Sequence, residues 1–292
     1  MKEILKNAQT GKYALGAFNF STAEILKAIV LAAKELKSPI MVATSEGEGQ
    51  FFGWREAVAM VDVWRHVTGL PIILNLDHGK SLAMVKKAVA AGYDAVHFDG
   101  SSLPYTQNLA QTNEVVKYIR EVEKTFDRQI IVEGEFGYLR GSSYLHKEKL
   151  EIKESDLTSP EQALDFVERT GVDSLAVVIG NAHGVFAGGE EKLRLKRLAE
   201  IKEAVANKVF LVLHGGSGIP AEDVKEAIKL GIVKVNVNTE LRLAYQSGLA
   251  QELKEAPEET TPYKMLESSF EGVKKVVAEK IKLFGSAEKF IK

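Results

Sequence analysis

The sequence predicts an α/β protein folded as a (β/α)8 TIM barrel with additional C-terminal helices, and three observations support this prediction. Short apolar runs rich in β-branched residues alternate with amphipathic stretches along the chain, which is typical of a parallel sheet with helical crossovers. Eight such runs can be counted, and polar residues follow them directly. The chain of 292 residues is close to the length of one barrel domain. We therefore expect a single domain over residues 1–292.

The eight predicted strands are short and apolar. They cover residues 14–20, 39–45, 71–77, 95–99, 129–135, 174–180, 209–214 and 232–238. Each is followed by a polar or helical stretch before the next begins. Eight repeats of strand and helix close naturally into a barrel, because each new parallel strand needs a crossover on the same side of the sheet.

The predicted helices show apolar residues at three- and four-residue spacing, as in 23–36, 82–91, 160–169 and 220–230. Ser159 and Pro160 form a helix-start signal, and Gly92 and Gly231 follow the ends of two other helices. Two stretches depart from this rhythm. The polar loop 137–157 is predicted to be a lid, and residues 239–292 are predicted to be a helical C-terminal region.

The composition excludes several classes of function. The net charge of -2 spreads over the chain without a basic stripe, so we expect no nucleic-acid partner. No window resembles a membrane span or a signal peptide, and we expect a cytoplasmic protein that does not bind membranes. Cysteine is absent, so any metal ion must bind His, Asp or Glu.

Three histidines follow predicted strands and so should meet at one end of the barrel. His78, His183 and His214 follow the third, sixth and seventh strands, and the carboxyl ends of barrel strands share one face. Three imidazoles with a fourth position open are typical of a catalytic zinc site. His97, at the fourth strand, is interpreted as buried polar support more than as a further ligand.

A glycine-rich turn after the seventh strand indicates a phosphate site. Residues 214–218 read HGGSG and precede a helix that begins near Pro220. Backbone N–H groups in such a turn, close to a helix N-terminus, bind anions well. Residues 236–239, after the eighth strand, lie beside this turn in the predicted barrel, and late barrel loops often bind phosphate.

These motifs, taken in order, resemble the class II fructose-bisphosphate and tagatose-bisphosphate aldolases over nearly the whole chain. The matching segments are GAFN at 16–19, LDHG at 76–79, FDGS at 98–101, EGEFG at 133–137, GNAHG at 180–184, HGGSG at 214–218, NVNT at 236–239 and KLFGSA at 282–287. The compact loops resemble the shorter subgroup of the family. That resemblance implies a homodimer or homotetramer acting on a phosphorylated sugar.

The resemblance also implies roles for individual residues at the metal site. His78, His183 and His214 would hold a catalytic Zn2+ or another divalent ion such as Co2+. Asp99 and Glu135 would form a neighbouring metal position. A chelated metal ion stabilises the enediolate left by carbon–carbon cleavage, because it acts as a Lewis acid.

The same resemblance implies roles around the substrate. Asp77 would be the acid/base at the aldehyde carbonyl oxygen, and Asn236 would orient the ketose. The phosphate of dihydroxyacetone phosphate would be held, with Na+ or K+ nearby, by Gly184, Gly215, Ser217, Asn238 and Thr239.

Two segments depart from the family pattern. Where relatives carry a glutamate that moves the C3 proton, this chain has a serine near position 143, and Glu148 is the candidate catalytic base. Where relatives carry an arginine that binds the second phosphate, this chain has Lys264, which lacks the bidentate fork.

Several functions remain open from the residues. The leading hypothesis is reversible cleavage of fructose or tagatose 1,6-bisphosphate to dihydroxyacetone phosphate and glyceraldehyde 3-phosphate. Alternatives are an aldolase for a different aldehyde, a non-catalytic metal-binding subunit and a metal-dependent hydrolase. A Schiff-base aldolase would need a lysine such as Lys234, which is predicted to point away from the histidines.

Overall fold

The computed structural model describes residues 1–146, 152–186 and 192–290, and eight of its strands close a parallel barrel. The barrel strands are β1 (Leu15–Asn19), β2 (Ile40–Ser45), β3 (Ile72–Gly79), β4 (Ala95–Phe98), β5 (Ile131–Phe136), β7 (Ser174–Val177), β9 (Phe210–Leu213) and β10 (Ile232–Val237). Each pairs with its neighbours in parallel, and β1 closes the ring against β10. The predicted (β/α)8 fold is confirmed.

In the part of the chain that the structure describes, two further strands lie outside the barrel. They are β6 (Gly141–His146) and β8 (His183–Phe186), which pair in parallel as a separate small sheet. The loop predicted over 137–157 therefore contains a strand and a 3-10 turn at Glu154–Asp156. Leu139 and Leu157 bury their side chains against Val178. This apolar contact ties the described part of the predicted lid to the segment after β7.

The helices surround the barrel, with further helices at both chain ends. They are α1 (Lys2–Gly11), α2 (Ala23–Glu35), α3 (Glu46–Phe52), α4 (Trp54–Thr68), α5 (Leu82–Ala91), α6 (Tyr105–Phe126), α7 (Pro160–Thr170), α8 (Leu195–Val205), α9 (Ala221–Lys229), α10 (Thr239–Glu255), α11 (Pro262–Met265) and α12 (Glu267–Leu283). Among the described residues, no helix combines the length and apolarity that a membrane crossing requires.

The core has two apolar layers separated by the sheet. The larger layer packs the helices against the outer face of the strands. The smaller layer fills the barrel itself and includes Leu15, Met41, Ile73 and Ile131. Leu5 of α1 belongs to the same cluster, so α1 covers the amino-terminal end of the barrel. The opposite end, where the strands finish, is left for polar side chains.

The sixth barrel strand is shorter than predicted. It ends at Val177, whereas the sequence predicted an extended run to residue 180. The chain turns at Gly180, whose φ is 106°, a conformation that favours glycine. His183 therefore lies on β8, outside the barrel sheet, and not directly at the end of a barrel strand.

Candidate active site

Asp77 lies at the centre of a polar cluster at the carboxyl end of the barrel. Its two carboxylate oxygens accept hydrogen bonds from two amides: Asn236 Nδ2 donates to Oδ1 at 3.0 Å, and Asn19 Nδ2 donates to Oδ2 at 3.0 Å. Both amide oxygens are buried and have no partner among the described residues. Asp77 is thereby fixed in orientation, while two acceptors remain available to a ligand.

The environment keeps the Asp77 carboxyl ionised. Burial alone would raise its pKa, but the charge of His78 and the hydrogen bond of His97 lower the pKa well below its ordinary value. A carboxylate that is both buried and ionised can accept a proton from a bound hydroxyl.

Two of the predicted metal ligands, His78 and His214, have ring nitrogens that lie close together. His78 Nε2 lies 3.2 Å from His214 Nδ1. The second nitrogen of each ring faces a carboxylate, since His78 Nδ1 is 2.7 Å from Asp99 Oδ2 and His214 Nε2 is 2.7 Å from Glu133 Oε1. Two nitrogens bound to one tetrahedral zinc ion would lie roughly 3.3 Å apart. The donor set therefore fits a divalent ion.

His183 stands beside this pair. Its ring centroid is 4.8 Å from that of His78 and 6.4 Å from that of His214. The backbone N–H of His183 donates to the carbonyl of Arg140 at 2.8 Å, which anchors β8 to the loop after β5. Burial lowers the pKa of His183 well below its ordinary value, so the imidazole is neutral, as a metal ligand must be.

A second group of possible ligands adjoins the first. One donor atom each from His78, Asp99 and Glu135 lies within 4.8 Å of the others. Glu135 Oε2 is buried, 3.0 Å from His97 Nε2 and 3.7 Å from His78 Nδ1, and a buried carboxylate needs a cation or a hydrogen-bond donor beside it. The two carboxylates therefore fit the neighbouring metal position that the family resemblance implied.

His97 supports the cluster from beneath. The backbone N–H of His78 donates to His97 Nδ1 at 3.1 Å, and His97 Nε2 lies 3.0 Å from Glu135 Oε2. The bond to His97 helps to hold His78 at its positive φ of 52°. His97 also belongs, with Asp77, His78 and His214, to a group of side chains whose donor atoms lie within 4.8 Å of one another, so its role as polar support stays a prediction.

The predicted phosphate-binding residues share a pocket with the acid/base and metal residues. The pocket is lined by Asn19, Asp77, His78, His183, Gly184, Gly215, Ser217, Asn236, Asn238 and Thr239. Gly215 has a φ of 64°, and a Cβ there would lie 2.1 Å from the carbonyl oxygen of Ala182. The turn after β9 thus approaches the segment before β8 so closely that only glycine fits.

Two lysines lie away from their expected positions, and one predicted residue cannot be placed. Lys234 points into the barrel, where its Nζ lies 2.8 Å from Glu133 Oε2, so the prediction that it points away was wrong. Lys264 lies in a separate groove between the C-terminal helices, with its Nζ 3.0 Å from Glu259. It does not line the pocket that holds Asp77. Glu148 falls outside the described residues.

Three charged or polar residues of the cluster were missed by sequence reasoning. Asn19 bridges Asp77 and Glu48, whose Oε2 accepts from the same amide at 2.9 Å. Glu48 also accepts from Arg242 at 2.7 Å. Glu133 contacts both His214 and Lys234. Asn19 and Glu133 stood in the quoted motifs, but only their direction into the barrel reveals these contacts.

A closed barrel with a histidine–carboxylate cluster at its carboxyl end defines a class of metal-dependent barrel enzymes. The family model described as "Fructose-bisphosphate aldolase class-II" matches residues 1–289. The chain therefore belongs to the class II fructose-bisphosphate aldolase family and is an aldolase, that is, a lyase. Aldolases of this class depend on a metal ion.

Individual relatives agree with this assignment. A sulfofructosephosphate aldolase of Alkalicoccus urumqiensis is 37% identical over 288 residues, which is 99% of this chain and 96% of the relative. The YdjI aldolase of Escherichia coli K12 has a TM-score of 0.82 and 32% identity, covering 99% of this chain and 98% of that one. The fructose-bisphosphate aldolase of Campylobacter jejuni, with a TM-score of 0.79, 23% identity and coverage of 98% and 94%, is similar in fold.

Proposed function

We propose that the enzyme cleaves a ketose 1-phosphate reversibly into dihydroxyacetone phosphate and an aldehyde. The observation that carries this proposal is that one pocket is lined both by Asp77, Asn236, His78 and His183 and by residues of the glycine-rich turn after β9. An acid/base group, metal-binding imidazoles and an anion-binding turn are the three parts that aldol cleavage of a phosphorylated ketose requires.

The metal would be held by His78, His183 and His214, with Asp99 and Glu135 as the neighbouring position. Zn2+ is the first candidate and Co2+ the second, because neutral imidazoles with carboxylates suit these borderline ions. When bound, the ion would supply Lewis-acid stabilisation of the enediolate charge.

Asp77 would take the proton of the C4 hydroxyl during cleavage and return it during condensation. Its ionised state and its fixed orientation between two amides support this role. Asn236 would orient the ketose, because its amide nitrogen donates to Asp77 while its oxygen, which has no partner among the described residues, could accept a hydrogen bond from a substrate hydroxyl.

The phosphate of the ketone half would be held by Gly184, Gly215, Ser217, Asn238 and Thr239, with Na+ or K+ nearby. Ser217 Oγ already accepts from the backbone N–H of Glu240 at 3.3 Å, in the first turn of α10. This contact leaves the hydroxyl proton of Ser217 available as a donor to a phosphate oxygen.

Replacing Gly215 by alanine is expected to weaken the binding of dihydroxyacetone phosphate by about tenfold or more, because overpacking costs typically ~1–3 kcal/mol. The new Cβ would force the turn away from Ala182. Isothermal titration with dihydroxyacetone phosphate measures the effect. Gly171→Ala is the matched control: its φ is 66°, but a Cβ there meets nothing within 4 Å. Equal losses of binding in both variants would contradict the assignment.

The candidate substrates differ in the aldehyde that their cleavage releases. A 1,6-bisphosphate of fructose or tagatose, releasing glyceraldehyde 3-phosphate, is the first candidate because of the family to which the chain belongs. A sulfofructose phosphate is the second candidate, favoured by the 37% identical relative. Lys264, which was expected to contact a second phosphate, lies in a different groove from the pocket that holds Asp77.

The decisive experiment compares these substrates on the purified enzyme, before and after chelation, with dihydroxyacetone phosphate as the common product. We expect cleavage that is abolished by the chelator and restored by Zn2+ or Co2+. Phosphate release without an aldehyde would instead favour a hydrolase, and metal binding without turnover would favour a non-catalytic subunit.

Gel filtration of the same sample tests the proposed homodimer or homotetramer, and cell fractionation tests the proposed cytoplasmic location.

Glu148 is proposed to move the C3 proton of the ketone. Glu148→Gln is expected to slow hydrogen exchange between dihydroxyacetone phosphate and deuterated water by about 10²-fold or more, the range for a lost general base. Proton NMR follows this exchange. Glu154→Gln, in the same loop, is the control, because Glu154 already pairs with Arg194 and Arg197. Unchanged exchange in Glu148→Gln would remove Glu148 from the mechanism.

A further inference from the structure

A buried ion pair lies directly beneath His214, inside the barrel. Lys234 Nζ on β10 donates to Glu133 Oε2 on β5 at 2.8 Å, and the two side chains are only 1% and 3% exposed. The other carboxylate oxygen, Oε1, accepts from His214 Nε2 at 2.7 Å. The three groups therefore form one chain of contacts that runs from Lys234 through Glu133 to His214.

The surroundings make this pair unusual. Ile131, two residues before Glu133 on β5, belongs to the apolar cluster that fills the barrel, together with Ile73 and Val233. Burying two charges costs several kcal/mol per ion, and well-packed apolar residues often replace such a pair without loss of stability. The stability of the barrel by itself therefore does not explain why a carboxylate and an ammonium group occupy this place.

The contact with His214 offers an explanation. An imidazole that donates from Nε2 to a carboxylate has its lone pair on Nδ1, and the carboxylate also restrains rotation of the ring. In this structure Nδ1 of His214 faces His78 Nε2 at 3.2 Å. Glu133 thus selects the tautomer that presents a ligand atom to the proposed metal position.

Lys234 in turn restrains Glu133. A carboxylate with one acceptor oxygen on His214 could rotate about its side-chain torsions, but the bond from Lys234 to the second oxygen fixes the plane of the carboxylate. Ser174 Oγ also lies 3.4 Å from that second oxygen. The lysine therefore acts on His214 only through Glu133.

We propose that Glu133 and Lys234 are a positioning pair that holds the His214 imidazole in the tautomer and orientation that metal binding requires. Among the described residues, the pair makes its side-chain hydrogen bonds to each other, to His214 and to Ser174, and neither Glu133 nor Lys234 lines the pocket that holds Asp77. This inference rests on the metal site of the proposed function. Its test measures metal binding without substrate, so it can fail independently of the choice of substrate.

The experiment uses two double variants of the full-length protein. Glu133→Leu with Lys234→Met replaces the pair by apolar side chains and removes the acceptor for His214. Glu133→Gln with Lys234→Met removes both charges but keeps a carbonyl acceptor. Zn2+ affinity is measured by chelator competition, and the visible absorption spectrum of the Co2+-loaded protein reports the ligand field.

We expect the leucine variant to bind Zn2+ about 10–100-fold more weakly than the parent enzyme, which is the usual effect of removing the hydrogen-bond partner of a metal-binding histidine. Its Co2+ spectrum should change, while the melting temperature stays close to that of the parent. The glutamine variant should recover part of the affinity, because its amide oxygen can still accept from Nε2 of His214.

A matched control separates positioning from general stability. Asp94 lies just before β4, at the opposite end of the barrel, where it pairs with Arg65 and accepts from the backbone N–H of Leu74 at 2.8 Å. Asp94→Asn should lower the melting temperature without changing Zn2+ affinity or the Co2+ spectrum.

Parental affinity and spectrum in both double variants would overturn the proposal, and so would an equal loss of affinity in Asp94→Asn. If the leucine variant does not fold, the glutamine variant decides. If neither folds, the pair is required for folding and the positioning role is rejected.

Discussion

Replacing His183 by alanine is expected to lower kcat for aldol cleavage by roughly 10³-fold or more. A metal ion contributes several kcal/mol of charge stabilisation, and each 1.36 kcal/mol is about tenfold in rate. Although His183 lies on β8 and not on a barrel strand, its ring stands 4.8 Å from that of His78. The loss of one neutral imidazole removes one of three proposed ligands.

The measurement combines steady-state kinetics with metal analysis of the same sample. His183→Ala should lose bound metal after dialysis, and excess Zn2+ should restore only part of the rate. His66→Ala, on the exposed face of α4, is the control and should keep full activity and metal content. Full activity of His183→Ala, or cleavage that persists in the chelated parent enzyme, would refute the metal-dependent mechanism proposed for this pocket.

Replacing Asp77 by asparagine is expected to lower kcat by about 10²–10⁴-fold, the usual contribution of a general acid/base. The metal ligands and the phosphate turn remain in this variant, so KM and metal content should change little. Asn236 and Asn19 each donate an amide hydrogen to Asp77. An asparagine has only one acceptor oxygen, so one of those two amides would also lose its partner.

The two catalytic variants are distinguished by what accompanies the loss of rate. Asp77→Asn should retain metal and still bind dihydroxyacetone phosphate, whereas His183→Ala should lose metal. Stopped-flow measurements with Asp77→Asn would locate the defect at carbon–carbon cleavage. Near-parental kcat in Asp77→Asn with full metal content would exclude Asp77 as the group that accepts the C4 hydroxyl proton.

The strand-end motifs were readable in the sequence because a parallel barrel gathers the ends of its strands on one face. His78 lies near the end of β3 and His214 directly follows β9, so the alternation of apolar and polar segments was enough to place both near one point. The glycine-rich turn after β9 could also be predicted from the sequence. Its glycines are required by the backbone, because a positive φ at Gly215 excludes other residues.

His183 shows the limit of that reasoning. Its sequence position after an apolar run suggested the end of the sixth barrel strand, but the chain leaves the barrel at Val177 and returns as β8. The pairing of β8 with β6 joins segments about forty residues apart along the chain. Local patterns do not specify such a pairing, because it depends on contacts formed only after the barrel has closed.

The sequence by itself determined the barrel, the family and the identity of the polar groups at its carboxyl end, because these depend on periodicity and on the order of short motifs. Only the tertiary structure decided which way buried side chains point. Lys234 could have faced the helices or the barrel interior, and the register of β10 directs it to Glu133 and so towards His214. A one-residue shift of a strand reverses the face of every side chain, so this outcome depends on the packing of the whole barrel.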